Sequence, residues 1–154
     1  MSDKLSIITM TADHIQGVDA MEQEVFGETA APLEFLIDDF NDPNATLYVA
    51  YWGNELAGHG AMSRKSDDSA DYCNIGNLMV KSGFRQKGIG KQMLATMLDT
   101  AKAQGLNKAT LKVETENTGA INLYKSFGFQ VEARLENFYA DEGGHAYVMC
   151  KHHL

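Results

Sequence analysis

Little in this chain stiffens or cross-links it: 154 residues hold two prolines, two cysteines and one tryptophan. Cys73 and Cys150 lie far apart and outside any CxxC or Cys/His spacing, so neither a disulfide framework nor a structural zinc site is indicated. Both are expected as small core residues. No metal is expected either, and His152-His153 are taken as a polar chain end. No apolar run approaches the roughly 18 residues of a membrane span. The acidic start lacks the basic region and apolar stretch of a signal peptide, so no membrane partner and a cytoplasmic location are expected. Positive charge is missing too. Between Thr11 and Asp42 nine acidic residues stand without a Lys or Arg, in a chain of formal net charge −8. That excess argues against nucleic acid as a partner and admits a cationic one.

What is present suits one ordinary globular domain spanning residues 1–154. With 44% hydrophobic residues, a chain of this length buries roughly 70% of the surface exposed on unfolding. Leu5–Met10 reads as a strand, and Thr11 or Asp13 can cap a helix carrying Ile15, Val18, Met21, Val25 and Phe26 at helical spacing. After a break at Gly27–Ala31, Pro32–Phe40 forms a second helix with Leu33, Leu36, Ile37 and Phe40 on one face. Leu47–Trp52 and Leu56–Arg64 flank Gly53-Asn54 as a hairpin. Ser66–Ala70 connects to a third strand, Asp71–Val80. A helix from Gly88 to a stop at Gly105 follows, with Ile89, Met93, Leu94, Met97, Leu98 and Ala101 on its apolar face. Ala109–Val113 is a strand and Thr118–Phe127 a short helix stopped by Gly128. Gln130–Tyr139 and Ala146–Lys151 close the chain as a pair around Gly143-Gly144. The fold class is α/β: a mixed, mostly antiparallel central sheet of about seven strands flanked by four helices. One parallel strand pair is expected, joined by the Gly88–Gly105 helix in a right-handed crossover.

Positive charge is concentrated in one place. Lys81–Lys91 carries four basic residues and no acid, and within it Arg85-Gln86-Lys87-Gly88-Ile89-Gly90-Lys91 joins an apolar strand end to a helix start. Glycines let a ligand approach the backbone, amides at a helix start point outward, and the helix dipole favours negative charge there. The turn reads as an anion cradle. It is not a Walker loop, since no Gly-Lys-Ser/Thr follows, and it lacks the third glycine and downstream acid of a dinucleotide fingerprint.

The strand, basic turn, helix and strand are followed by Asn117 and by Ala120-Ile121-Asn122-Leu123-Tyr124-Lys125-Ser126-Phe127-Gly128-Phe129. In this order the motifs resemble the GCN5-related N-acetyltransferase superfamily over essentially the whole chain. Met21-Glu22-Gln23 with Phe26, Asn77-Leu78-Met79-Val80, and Asn137-Phe138-Tyr139 before a Gly-Gly turn are similar to its ribosomal-protein-alanine N-acetyltransferases. The resemblance implies acetyl-CoA as co-substrate, bound by the parallel pair, whose strands would splay to hold it. Leu78, Met79 and Val80 would offer main-chain hydrogen bonds to its pantetheine arm. Gln86, Lys87, Gly88, Ile89, Gly90 and Lys91 would hold its pyrophosphate with Arg85 adding charge, and Asn117 would add a hydrogen bond.

An amine attacking a thioester must lose a proton, and the departing thiolate should gain one. Tyr124 suits the second task, because a phenol with a pKa of about 10 stays protonated at neutral pH. The base is less plain. The ribosomal-protein-alanine members carry glutamate in a Leu-Glu-Val arrangement where this chain has Leu111-Lys112-Val113. Glu114 is the named candidate, one pleat further along the same side of the strand, and a water chain ending at Glu22 or His145 is the other route. No cysteine falls near the cofactor motifs, so direct attack in a ternary complex is expected. The acceptor is a peptide or protein N-terminus by resemblance, or a small cationic amine such as a polyamine or aminoglycoside by the acidic first region. A non-catalytic acyl-CoA-binding module is kept open by Lys112. Monomer and homodimer are both open, with Tyr147, Val148 and Met149 offering a terminal strand edge to a second copy.

Overall fold

Strand β2 (Ala45–Trp52) has an apolar side chain at nearly every position and so calls for cover on both faces. The computed structural model, which describes residues 4–139 and 144–154, supplies it from different helices. Leu47, Val49 and Tyr51 share one face with Val18 and Ile15 of α1 (Ile15–Phe26) and with Leu36 and Phe40 of α2 (Leu33–Asn41). Ala50 and Trp52 turn to the other face and meet Ile89 and Met93 of α3 (Ile89–Ala103), together with Leu5 and Ile7 of β1 (Leu5–Thr9). The period of two along the strand thus becomes a layered core.

The remaining elements are β3 (Glu55–Ser66), β4 (Asp71–Val80), β5 (Ala109–Glu114), α4 (Thr118–Ser126), β6 (Gln130–Tyr139) and β7 (Gly144–Lys151). The strands form one seven-stranded sheet in the order β1-β2-β3-β4-β5-β7-β6. Residues gather into two compact units, Met1–Ser63 with Asn77–Met97 and Arg64–Gly76 with Leu98–Leu154. Strands β3 and β4 and helix α3 lend residues to both. Among the described residues no helix is long and apolar enough to cross a membrane.

In the first unit the β2–β3 hairpin turns through Gly53-Asn54 with Trp52 opposite Glu55. Gly53 alone of the two takes a positive φ, 62°, which matches a turn with glycine in its first central position. The break between α1 and α2 contains a 3-10 turn, Gly27–Thr29. Pro32 stands at the cap of α2, one residue before the helix begins. Next to β2, β3 carries Gly58 and Gly60 under α3. A β-carbon on Gly58 would lie 2.9 Å from the Met79 carbonyl oxygen, and one on Gly60 would lie 2.8 Å from Met97 Sδ. Between them His59 is 2% exposed, and its Nδ1 lies 2.9 Å from the Tyr48 carbonyl oxygen. Burial lowers the pKa of this imidazole and keeps the ring neutral, against a smaller raising effect of that hydrogen bond. Six buried methionines, at 10, 21, 62, 79, 93 and 97, fill this unit.

In the second unit β4 and β5 run parallel, with Cys73, Asn74 and Ile75 registered against Ala109, Thr110 and Leu111. The Thr110 hydroxyl donates to Asn74 Oδ1 at 3.1 Å. Each strand continues beyond this short register. Strand β7 lies between β5 and β6 and pairs antiparallel with both. The edge that the sequence reading placed at Tyr147, Val148 and Met149 is therefore not an edge. The last strand inserts beside β5, and β6 takes the outside. Of the expected Gly143-Gly144 turn, Gly143 lies outside the described residues.

Candidate functional site

The basic loop belongs to the first unit. It leaves β4 at Val80, where the Lys81 amide donates to the Ala57 carbonyl at 2.8 Å and keeps the strand end on β3. Arg85 folds back so that its Nε donates to the Val80 carbonyl at 3.2 Å. Backbone φ is positive at Gln86 (64°) and again at Gly88 (79°). Such a reversal of handedness between neighbouring residues turns successive amides toward one side, the geometry of an anion nest. Gln86 is one of two non-glycine residues with positive φ among the described residues. That conformation costs about 1 kcal/mol or more and is held by its surroundings.

Helix α3 begins where the nest ends. Gly88 accepts the first helical hydrogen bond, from the Gln92 amide at 3.0 Å, so the amides of Ile89, Gly90 and Lys91 form the open first turn. No acid sits in that turn. Ile89 is buried and anchors it, whereas Gly88 and Lys91 face solvent. No atom lies within 4 Å of where a Gly88 β-carbon would stand. Open space above glycine, outward amides, a positive dipole end and Arg85, Lys87 and Lys91 fit the diphosphate of an acyl-CoA. Trp52 was not anticipated here. Its ring lies 5.2 Å from the Lys87 ammonium, a contact no local pattern reveals because the hairpin brings it from 35 positions earlier. Leu78 and Val80 pack with the α3-side core and Met79 is 3% exposed, so the side chains of this strand end are core.

The second unit holds the other residues singled out from the sequence. Asn117 caps α4: its Oδ1 accepts from the Ala120 amide at 3.2 Å, and its carbonyl accepts from Ile121 at 3.0 Å. The far end of α4 closes around Tyr124. The Phe129 amide donates to the Tyr124 carbonyl at 3.1 Å and the Gly128 amide to Lys125 at 3.0 Å, with Gly128 at φ 95°. These are the paired bonds of a Schellman cap, and its usual apolar contact is here an edge-on meeting of the Tyr124 and Phe129 rings at 5.9 Å. Tyr124 is 8% exposed. A phenol so held has its ring direction set by the helix stop.

Along β5, Leu111 and Val113 are buried while Lys112 and Glu114 share the exposed side, as the strand period requires. The Lys112 ammonium lies 6.0 Å from the Phe138 ring. Glu114 pairs with Ala146, and its carbonyl accepts from the Asn117 amide at 3.0 Å. The candidate base and the helix cap are thus joined through one tight turn. His145 supports the same turn, its carbonyl accepting from Thr115 at 3.0 Å. Its Nδ1 accepts from the Asn137 amide at 2.9 Å and lies 3.0 Å from a Glu136 carboxylate oxygen. Glu22, in the first unit, has its carboxyl pKa raised by burial and by Asp19, with the Ala31 amide at 3.4 Å opposing the shift.

Residues 15–129 match the model of the acetyltransferase (GNAT) family, and the chain belongs to that family. It is an acetyl-CoA-dependent N-acetyltransferase. It is 26% identical over 149 residues to the N-alpha-acetyltransferase RimI of Mycobacterium tuberculosis, covering 96% of this chain and 92% of that protein. An N-alpha-acetyltransferase of Sulfurisphaera tokodaii is 29% identical over 129 residues, or 77% of this chain and 76% of the relative. In fold it is similar to the ribosomal-protein-S18-alanine N-acetyltransferase of Escherichia coli, with a TM-score of 0.85 at 18% identity over 96% of this chain and 93% of that one.

Proposed function

We propose that residues 1–154 act as one domain that transfers acetyl from acetyl-CoA to the α-amino group of a protein or peptide N-terminus, by direct attack in a ternary complex. The nest at Gln86–Gly88 carries the donor half of this reading, because it is a ready polyanion seat in an acidic chain. The acceptor half is supported by relatives named as N-alpha-acetyltransferases, one of which matches over 96% of this chain and so spans α1 and α2. Those helices combine acid with exposed apolar surface. Phe26, Leu33, Phe35 and Ile37 are exposed, Phe35 to 58%, among Glu22, Glu24, Glu28, Glu34, Asp38 and Asp39. An N-terminal segment bringing an ammonium and one or two apolar side chains suits such a surface. A cytoplasmic location goes with this reading.

Bound acetyl-CoA supplies the activated acyl group as a thioester. The amides of Gln86, Lys87, Gly88, Ile89, Gly90 and Lys91 hold the diphosphate with Arg85 nearby, and main-chain groups of Leu78, Met79 and Val80 bind the pantetheine arm. Arg85 Nε uses one lone pair of the Val80 oxygen, and a carbonyl has two. The side chain of Asn117 both caps α4 and binds coenzyme A. Glu114 takes the proton from the acceptor ammonium, and Tyr124 gives its phenolic proton to the departing sulfur. Free α-amino groups, with pKa values of about 7.7–8.0 against about 10.4 for lysine, ask little of the base. An exposed Glu114 is adequate for them.

The deciding experiment is thiol release from acetyl-CoA with peptides starting in Ala or Ser, spermidine and an aminoglycoside, run on wild type, Tyr124→Phe and Gly88→Trp. Turnover on a peptide N-terminus is expected, lowered roughly 10²-fold or more in Tyr124→Phe at unchanged acetyl-CoA affinity. Gly88→Trp should lose acetyl-CoA binding while keeping its circular dichroism spectrum. Turnover on spermidine or the aminoglycoside alone would reassign the acceptor to small cations. Tight acetyl-CoA binding with silence on every amine would make the chain an acyl-CoA-binding module.

A further inference from the structure

Cys150 lies one residue from the end of β7 and His152 in the bend just past it, and the two side chains come to one face. Glu132 reaches that face by another route. Strand β6 pairs Val131 with Met149 and Ala133 with Val148, which leaves Glu132 as the extra residue of a β-bulge. Bulges re-aim a side chain that regular pairing would place elsewhere. Among the described residues, the thiol sulfur, an imidazole nitrogen and a carboxylate oxygen of these three lie within 4.8 Å of one another. His152 Nε2 is in short contact with the Glu132 carboxylate, and the Cys150 thiol hydrogen-bonds to it.

We propose that Glu132, Cys150 and His152 form a zinc site, with solvent as the fourth ligand. Thiolate, imidazole and carboxylate are the donor set that Zn²⁺ prefers over harder cations. Bonds of about 2.0–2.3 Å in a tetrahedron put ligand atoms roughly 3.3–3.7 Å apart. The trio closes to that spacing with shifts of about 1 Å, available to the exposed His152 and Glu132 side chains. Lys108 is the nearby cation, and its ammonium is drawn to Asp67 at 3.4 Å and to the Tyr72 ring at 4.9 Å. Without metal, burial above all, then the Glu132 carboxylate, pushes the Cys150 thiol up to about 11, so it keeps its proton at neutral pH. Zinc binding displaces that proton to solvent, and affinity rises with pH. None of the three residues is assigned to acetyl transfer.

Cobalt(II) titrated into the full chain reads the site directly, because a thiolate ligand gives a near-ultraviolet charge-transfer band. One equivalent should produce the band, zinc should abolish it, and Cys150→Ser should lack it. His152→Ala, at an exposed position that leaves folding intact, should weaken binding by about tenfold or more. Absence of the band in the wild type overturns the proposal. So does binding that survives Cys150→Ser and His152→Ala but falls in His153→Ala, which would assign it to the chain end.

Discussion

Two glycines under the same helix differ in what they would strike. Beside Gly58 stands a backbone oxygen that cannot move without shifting β4, whereas Gly60 faces the thioether of Met97, which can change rotamer. Gly58→Ala should therefore cost about 1–3 kcal/mol in urea unfolding, and Gly60→Ala distinctly less. Equal losses would mean that the helix and not the strand sets the spacing. His59 between them ties stability to pH. Its folded pKa is lowered from 6.5, so the unfolded chain takes up the proton first as pH falls. The contribution of neutral His59 is complete above pH about 6.5 and is lost as pH drops from there toward the folded value. His59→Gln should flatten the fall in unfolding free energy over that window, and an unchanged slope would assign it to other groups.

At the scale of elements, α4 is a helix whose two ends both carry residues of the proposed chemistry. Asn117→Ala should cost about 1 kcal/mol through the lost cap and raise KM for acetyl-CoA; the stability loss without the KM change would leave Asn117 as a cap alone. Helix existence was legible here because apolar spacing, Asn at one end and Gly at the other agree, and apolar spacing ending at Gly105 made α3 readable too. Register was not. The bulge at Glu132 and the insertion of β7 beside β5 arise from which strands meet, and neighbouring residues in sequence do not carry that information. The basic loop could be located because its glycines and cations are consecutive residues, whereas Trp52 near Lys87 and the Glu132, Cys150 and His152 trio exist only once strands pair. The short register of β4 on β5 conforms to the expected parallel pair, because joining helix and flanking strands all carry their own periodicity.

Over the whole molecule, a net charge of −8 opposes the approach of a polyanionic donor, and the basic loop, with four Lys and Arg and no acid, offsets that locally. Attraction there is local and exposed, so salt should weaken it. KM for acetyl-CoA is expected to rise several-fold between low salt and about 0.5 M, while kcat changes little, as read in steady-state kinetics. A peptide with basic residues after its first two positions should show the same sensitivity through the acidic α1 and α2, losing its advantage over an acidic peptide as salt is added. Insensitivity of both would mean that neither charged region meets its ligand.

Seven methionines, six of them in the first unit and the seventh at Met149, are sealed from solvent. Thioethers are soft targets for peroxide, and sulfoxide is too polar to return to a close-packed interior. Sealing converts that weakness into a threshold. While the molecule stays shut its sulfur is spared, but once an oxidant enters during a transient opening, the first sulfoxide holds the breach open for the next. Damage in this chain should thus accumulate as an all-or-none population, with intact copies coexisting beside heavily oxidised ones and few in between.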